Sequence, residues 1–245
     1  MAPLDILYQD EYLIAVNKPS GLLVHRSMID RHETQFALQL VRDQIGRYVY
    51  PLHRLDKPTS GALLFALSPD IARQVSLQFA DNQVKKNYVA VVRGFCPEQG
   101  LIDHALKEEL DKIADSKSRR DKPAQTALTH YQRLDTAEIA VAVDRYPSSR
   151  YSLVRLQPQT GRKHQLRRHM KHIAHPIIGD AKHGKGNHNR FFKTQFNCHR
   201  LLLACTSLQL QHPVTGLLLN IQAPLDDVFR NVLQALGWTD PTAHQ

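Results

Sequence analysis

The sequence predicts an α+β fold: a mixed, mostly antiparallel sheet with flanking helices and loops. Three observations lead there. Long β-rich runs, such as KKNYVAVVRG (85–94) and RLLLACTSLQLQHPVTGLLLNIQAP (200–224), outnumber the helical stretches between them. Strand patterns at 126–158 follow one another in the manner of an antiparallel meander. Neither common glycine-rich phosphate loop is present, and strands and helices do not alternate as βαβ units require.

Taken in order, DILYQDEYLIAVNKPSG (5–21) reads as two short strands ending in a Pro-Gly turn. TQFALQLVRDQIG (34–46) carries apolar residues at Phe36, Leu38, Leu40, Val41 and Ile45 before a glycine stop, which predicts a helix. GALLFALS (61–68) is a continuous apolar run of strand length, and PDIARQVSLQFADNQV (69–84) starts a helix on Pro69 with Asp70 in its first turn. KKNYVAVVRG is another strand. Residues 111–125 are polar and mixed in charge, the pattern of an exposed loop. TALTHYQRL (126–134), AEIAVAVD (137–144) and RYSLVRLQP (150–158) predict three strands. TGRKHQLRRHMKHIAHP (160–176) predicts a basic helix entered through a tight turn at Gly161 and ended near Pro176. Residues 179–199 lack periodicity and read as a loop over the basic face. Residues 200–224 form a hairpin turned by Pro213 and Gly216, and LDDVFRNVLQALGW (225–238) closes as a helix.

The chain of 245 residues has no run of about 18 apolar residues, so no transmembrane helix is expected. Asp5, Asp10 and Glu11 stand where a signal peptide would be basic and then apolar. Three cysteines at unrelated spacings fit a reduced, cytoplasmic protein better than a disulfide-stapled one. The formal charge is +9, and its distribution is lopsided. Between Arg145 and Arg200 lie thirteen Lys/Arg and one acid, Asp180, leaving the rest of the chain slightly acidic. Clustering of one sign predicts a polyanionic partner, because neutralising phosphates releases counterions.

Asp56 in HRLDKPTSG (53–61) is a lone carboxylate in a turn, flanked by Arg54 and Lys57. Such a residue is either an ordinary turn former or a catalytic group whose ionisation is protected by cations. Residues 160–169 add Arg162, Lys163, His164, Gln165, Arg167 and Arg168 within about two turns of chain. That density of planar cations suits phosphate or carboxylate recognition. The histidines of the same region (His164, His169, His172, His175, His183, His188, His199) and Cys198 lack a metal-ligand grouping; His169, His172 and His175 do not share one helical face. No metal is therefore expected. Ser20 and Ser60 sit in turns where serine bonds the backbone, and no cysteine has an activating neighbourhood.

HRLDKPTSG, together with NKPSG (17–21), KKNYVAVVRG, PQTGRKHQLRRHM (158–170) and HPIIGDAKHG (175–184), resembles the ordered motif set of the RluA-type pseudouridine synthases. The similarity extends from about residue 4 to residue 225. LVHRSMIDRHE (23–33), residues 108–131 and RYPSSRY (145–151) are similar to a tRNA-modifying branch of that family, which isomerises the uridine at position 65. One departure lies in the late strand, where Leu203-Ala204-Cys205 replaces the usual Leu-His-Ala.

The resemblance implies the pseudouridine synthase type of sheet core and a single catalytic domain over 1–245, built as two sub-lobes around a central cleft. No S4-like RNA-binding domain is expected before it. It implies that Asp56 is the catalytic aspartate, that Arg167 pairs with it, and that Tyr88 stacks on the base. It further implies that Arg54 enters the RNA as the target nucleotide leaves. Arg162, Lys163, His164, Gln165 and Lys171 would bind substrate. The expected partner is tRNA, acted on by a monomer with no membrane attachment and no metal or nucleotide cofactor. The alternatives are a synthase acting on another structured RNA, such as ribosomal RNA, and a non-catalytic RNA-binding module.

Overall fold

The structure, a computed structural model, describes residues 3–26, 33–108 and 123–243. Its elements are β1 (Ile6–Gln9), β2 (Leu13–Lys18), α1 (Ala37–Ile45), β3 (Tyr50–Pro51), β4 (Ser60–Ala66), α2 (Pro69–Ala80), β5 (Lys85–Arg93), β6 (Gln99–Asp103), β7 (Leu128–Ile139), β8 (Ser149–Pro158), α3 (Gln165–His172), α4 (Gly186–Phe196), β9 (Leu203–Gln211), β10 (Leu218–Gln222) and α5 (Asp227–Ala235). The fold is α+β, as predicted. One sheet orders its strands β1-β2-β4-β9-β5-β8-β7-β6, with β10 pairing β9 and β3 pairing β4. Its pairs are antiparallel except β4 with β9, which run parallel through Ser60↔Ala204 and Gly61↔Cys205.

The central strands explain the continuous apolar runs. Every residue of β4 is buried, because it lies between β2 and β9 with both faces covered. On β5, alternation divides two cores: Ala90 and Val92 pack with the larger, Val89 and Val91 with the smaller. The larger core includes Val41 of α1, Val75 of α2 and Met170 of α3. The smaller takes Phe192 from α4 and Phe229, Val232 and Leu233 from α5. Each such buried side chain contributes about 1.5–3 kcal/mol. The helix ends follow the predicted signals. Gly46 takes φ 68° and closes α1 on the Arg42 carbonyl, and the Ser68 hydroxyl caps α2 by accepting from the Ile71 N–H.

Three local expectations are corrected. The stretches 126–134 and 137–144 are not two strands: β7 runs unbroken through Leu128–Ile139, with a bulge between Arg133 and Asp135, and residues 140–144 fall outside it. The extra residue breaks the alternation without ending the ladder. Residues 179–199 are not all loop, since α4 occupies Gly186–Phe196 and buries His188 and Phe192. The left-handed residue before α3 is His164, with φ 55°, not Gly161. β3 and β6 were not anticipated. The hairpin of β9 and β10 is antiparallel, turned where the Gly216 N–H donates to the His212 carbonyl. Of the predicted loop 111–125, positions 111–122 lie outside the described residues, as do parts of the segments 23–33 and 108–131. Among the described residues, no helix is long and apolar enough to cross a membrane.

Candidate active site

Two of the quoted motifs lock together. NKPSG ends β2, and HRLDKPTSG connects β3 to β4. The Gly21 N–H donates to the Lys57 carbonyl at 2.8 Å, and the Ser20 hydroxyl donates to the Pro58 carbonyl at 2.7 Å. Lys18, fully buried, gives its ammonium to the carbonyls of Pro19, Leu22 and Lys57. Burial, aided by Arg200, pushes its pKa down to about 7, against the opposing pull of Asp56. Within the loop the Thr59 N–H donates to the Asp56 carbonyl, closing a turn. Asp56 is therefore presented on a loop whose own carbonyls, at Lys57 and Pro58, are held by Gly21, Lys18 and Ser20.

That loop opens onto a cleft of about 840 Å³. Asp56, Tyr88 and Arg167, from three separated segments, all line it, and so do Arg54, Arg162, His164 and Gln165. Lys163 and Lys171 do not; both are exposed, Lys163 just before α3 and Lys171 in its last turn. Among the described residues, Asp56 is the one carboxylate of the lining. Its Oδ2 accepts from Arg167 Nη1 at 3.2 Å and lies 4.0 Å from His164 Nε2.

Arg167 has a second and firmer partner. Its Nε and Nη2 donate to the two oxygens of Asp180 at 2.7 and 2.8 Å. Asp180 Oδ1 also accepts the backbone N–H groups of Lys182 and His183, each at 2.9 Å. Burial works against the charge on Arg167, but Asp180 first and Asp56 second outweigh it and raise its pKa. Asp180 likewise stays below the usual carboxylate range: burial would raise it, and the bonds from Arg167, His183 and Lys182 win. Asp180 was not among the predicted site residues. Its signal was its isolation as the single acid in the basic segment.

The other side chains divide by what they have left to offer. Tyr88 is buried, and burial, then Cys205 and Asp56, raise its pKa well above the ordinary value, so its hydroxyl keeps its proton. Arg54 is exposed where the cleft meets solvent, with no hydrogen bond or ion pair among the described residues. Arg162 is exposed too, its Nε donating to the Thr126 carbonyl. Gln165 has its amide saturated: the oxygen accepts from Thr160 Oγ1 and the Arg162 N–H, and the nitrogen donates to the Leu128 carbonyl and Thr129 Oγ1. It shapes the turn into α3. His164 is 3.1 Å from His183 through their ring nitrogens, and burial lowers its pKa to about 4 despite Asp56.

Three further histidines are tied to protein groups. His169 is bonded to Thr129 Oγ1 and the His104 carbonyl, His172 stacks on His104 at 3.7 Å, and His175 bonds the Arg93 carbonyl. Among the described residues no group of three or more His, Cys, Asp or Glu converges as metal ligands would.

A cationic cleft with one paired carboxylate, set where a mostly antiparallel sheet is closed by a parallel joint, defines a class with known members. Residues 12–172 match the model of the RNA pseudouridylate synthase family, and the chain belongs to that family. Among named relatives, it is 57% identical over 235 residues to a tRNA pseudouridine synthase C of Pectobacterium carotovorum subsp. carotovorum, covering 96% of this chain and 62% of that protein. It is 53% identical to the tRNA pseudouridine synthase C of Vibrio cholerae serotype O1, over 97% of both chains. Solved structures agree. Human RNA pseudouridylate synthase domain containing 4 superposes with a TM-score of 0.70 at 30% identity, covering 95% of this chain and 93% of its own. Human RNA pseudouridylate synthase domain containing 1 gives 0.69 at 25% identity, over 98% and 100%.

Proposed function

We propose that this protein converts one uridine of tRNA to pseudouridine, at position 65 in the T-stem region, with residues 1–245 acting as one catalytic unit. The observation that carries the reading is the Asp56–Arg167 pair beside Tyr88 in a cationic cleft of a chain of this family. The kinship with the enzymes of Pectobacterium and Vibrio favours tRNA as the substrate.

The reaction breaks the N1–C1′ bond, turns the uracil and joins C5 to C1′; N1 gains a proton and C5 loses one. An ionised carboxylate serves this as nucleophile at C1′ or C6, or as the base that takes the 2′ hydrogen. Each route needs the Asp56 carboxylate next to the sugar, and its bond from Arg167 Nη1 holds it in place. Tyr88 stacks its ring on the base and acts as a neutral phenol. Arg54 fills the gap in the helix when the uridine flips out, a step that costs a few kcal/mol. Arg162 at the edge of the cleft, with Lys163 and Lys171 outside it, follows the backbone, as shape-based RNA recognition requires. His164 meets the nucleotide as a neutral imidazole, while Gln165 holds the turn that carries it. A rearrangement within one molecule calls for no redox partner or nucleotide.

The test is site-resolved mapping of pseudouridine after incubation with unmodified tRNA. The expected result is a single product in the T-stem region. Product confined to ribosomal RNA would reject the substrate, and tight binding without product would leave an RNA-binding module.

A further inference from the structure

The cleft has a second cationic wall that the chemistry at Asp56 leaves unused. Lys86 and Tyr88 lie two residues apart on β5, so both side chains leave the same strand face, with Cα atoms about 7 Å apart. Both line the cleft. Lys86 is half-buried, yet among the described residues it makes no hydrogen bond or ion pair. Its ammonium lies 6.0 Å from the centre of the Phe79 ring, the outer limit of a cation–π contact.

The neighbours do not neutralise it. Among the described residues Asp56 is the one carboxylate of the lining, and it is already held by Arg167. His53 lies across Phe79 with ring centroids 5.3 Å apart, and its Nε2 accepts the Leu64 N–H at 3.1 Å. Burial, with Lys86 nearby, pushes the His53 pKa down to about 3, so His53 adds no charge of its own. Lys86 is thus the cation of this wall. Burial lowers its pKa, with only Cys205 acting the other way. An unpartnered, partly desolvated ammonium is unfavourable, and an anion placed beside it offsets that cost.

A nucleotide carries a phosphodiester on each side of its sugar, within reach of a lysine side chain when its base lies on Tyr88. We propose that Lys86 binds a phosphodiester flanking the flipped-out nucleotide and so holds that nucleotide against Tyr88 and Asp56. The assignment rests on the reading of the cleft as a pseudouridine synthase site. It separates Lys86 from Lys163 and Lys171, whose contacts lie outside the cleft and along the helix backbone.

The test pairs Lys86→Met with neutralisation of the phosphate. RNA stem-loops carrying the mapped target uridine are made with an ordinary backbone, or with one methylphosphonate on its 5′ or 3′ side. Lys86→Met should lose about tenfold or more in kcat/KM on ordinary RNA, the scale of one charge-assisted hydrogen bond. A methylphosphonate on one side should cost the parent a similar factor but cost Lys86→Met no more than about twofold, because the contact is already gone. Lys86→Gln should repeat this pattern and Lys86→Arg should restore the coupling, with melting temperatures confirming that all three fold. Additive losses on both sides, or an undiminished Lys86→Met enzyme, would overturn the contact while the synthase reading stands. If the parent forms no pseudouridine in any tRNA, the synthase reading falls and this assignment falls with it.

Discussion

Arg167 divides its guanidinium unequally between Asp180 and Asp56. Asp180 takes Nε and Nη2 side by side at 2.7 and 2.8 Å; Asp56 takes Nη1 alone at 3.2 Å. The Asp180 side chain is 1% exposed and that of Asp56 29% exposed. The paired, buried contact is the stronger one. Arg167 is therefore anchored on Asp180 and extended toward Asp56. Asp56 keeps lone pairs free for a ligand, and it can change its bonding while the arginine stays in place.

Asp180→Asn should consequently harm both fold and activity. Breaking one side of a buried pair costs about 3–5 kcal/mol, because the surviving charge stays buried. In a chain of this length, that lowers the melting temperature by roughly 6–20 °C. The folded state holds the Asp180 pKa below its ordinary 3.8. The stability it contributes is therefore present above about pH 4 and lost as pH falls below it. Thermal melts of parent and variant at pH 7 and pH 3 check this; equal melting temperatures at pH 7 would remove Asp180 as the anchor.

Asp56→Asn should harm activity and spare the fold. Arg167 retains Asp180, so the variant should fold with a melting temperature close to that of the parent. Charge, nucleophilicity and basicity vanish together, and pseudouridine formation should become undetectable. Binding of tRNA should change by less than about tenfold, or roughly 1.4 kcal/mol. A folded variant that still turned over at the parent rate would end the assignment of Asp56 to the chemistry.

How far the sequence spoke depended on whether a signal was local. Asp56 was legible because apolar runs bracket its turn, and the basic residues around α3 because they are neighbours in the chain. The Asp180–Arg167 bond was not, because it spans thirteen residues across the Pro176 bend, and nothing local says which cation an isolated acid will meet. α4 was hidden because its inward face has only His188 and Phe192 buried, with Phe191 and Phe196 partly so, among polar residues, a stripe too thin to read as amphipathic. The β7 bulge disguised one strand as two. Lys86 looked like the polar start of a strand, and only the packing of Phe79 and His53 gave it a wall to stand in.

The buried histidines predict a loss of stability in mild acid. Burial holds His164 near 4 and, with Lys86, His53 near 3 in the folded protein, against about 6.5 in an unfolded chain. Below pH 6.5 the unfolded state takes up protons that the folded state refuses, so stability falls as pH drops from 6.5 toward 4. His164→Asn removes one of these groups while keeping a residue type that tolerates its left-handed backbone. Denaturant titrations at pH 7, 5.5 and 4.5 should show a smaller decline for the variant than for the parent. Identical declines would mean that His164 takes up protons equally well in both states.

Gly61 ties the Asp56 loop to the one parallel joint of the sheet among the described residues, and its replacement should be far more damaging than that of Gly21. Both have positive φ, 110° and 89°, so an alanine at either site is strained, by about 1–2 kcal/mol. The difference lies in what surrounds them. A Cβ on Gly61 would sit 2.0 Å from the Cys205 carbonyl oxygen and 2.7 Å from its backbone carbon and nitrogen; a Cβ on Gly21 would meet nothing within 4 Å. Backbone cannot swing aside as a side-chain tip can, so Gly61→Ala must part β4 from β9 at Gly61↔Cys205. That adds about 3 kcal/mol, the upper end of an overpacking cost, and shifts the loop carrying Asp56. Gly21→Ala should stay folded, and Gly61→Ala should be unfolded or inactive under the same conditions. Circular dichroism melts and pseudouridine assays on the pair read the outcome, and a Gly61→Ala enzyme as stable and active as Gly21→Ala would show that the β4–β9 joint does not hold the catalytic loop.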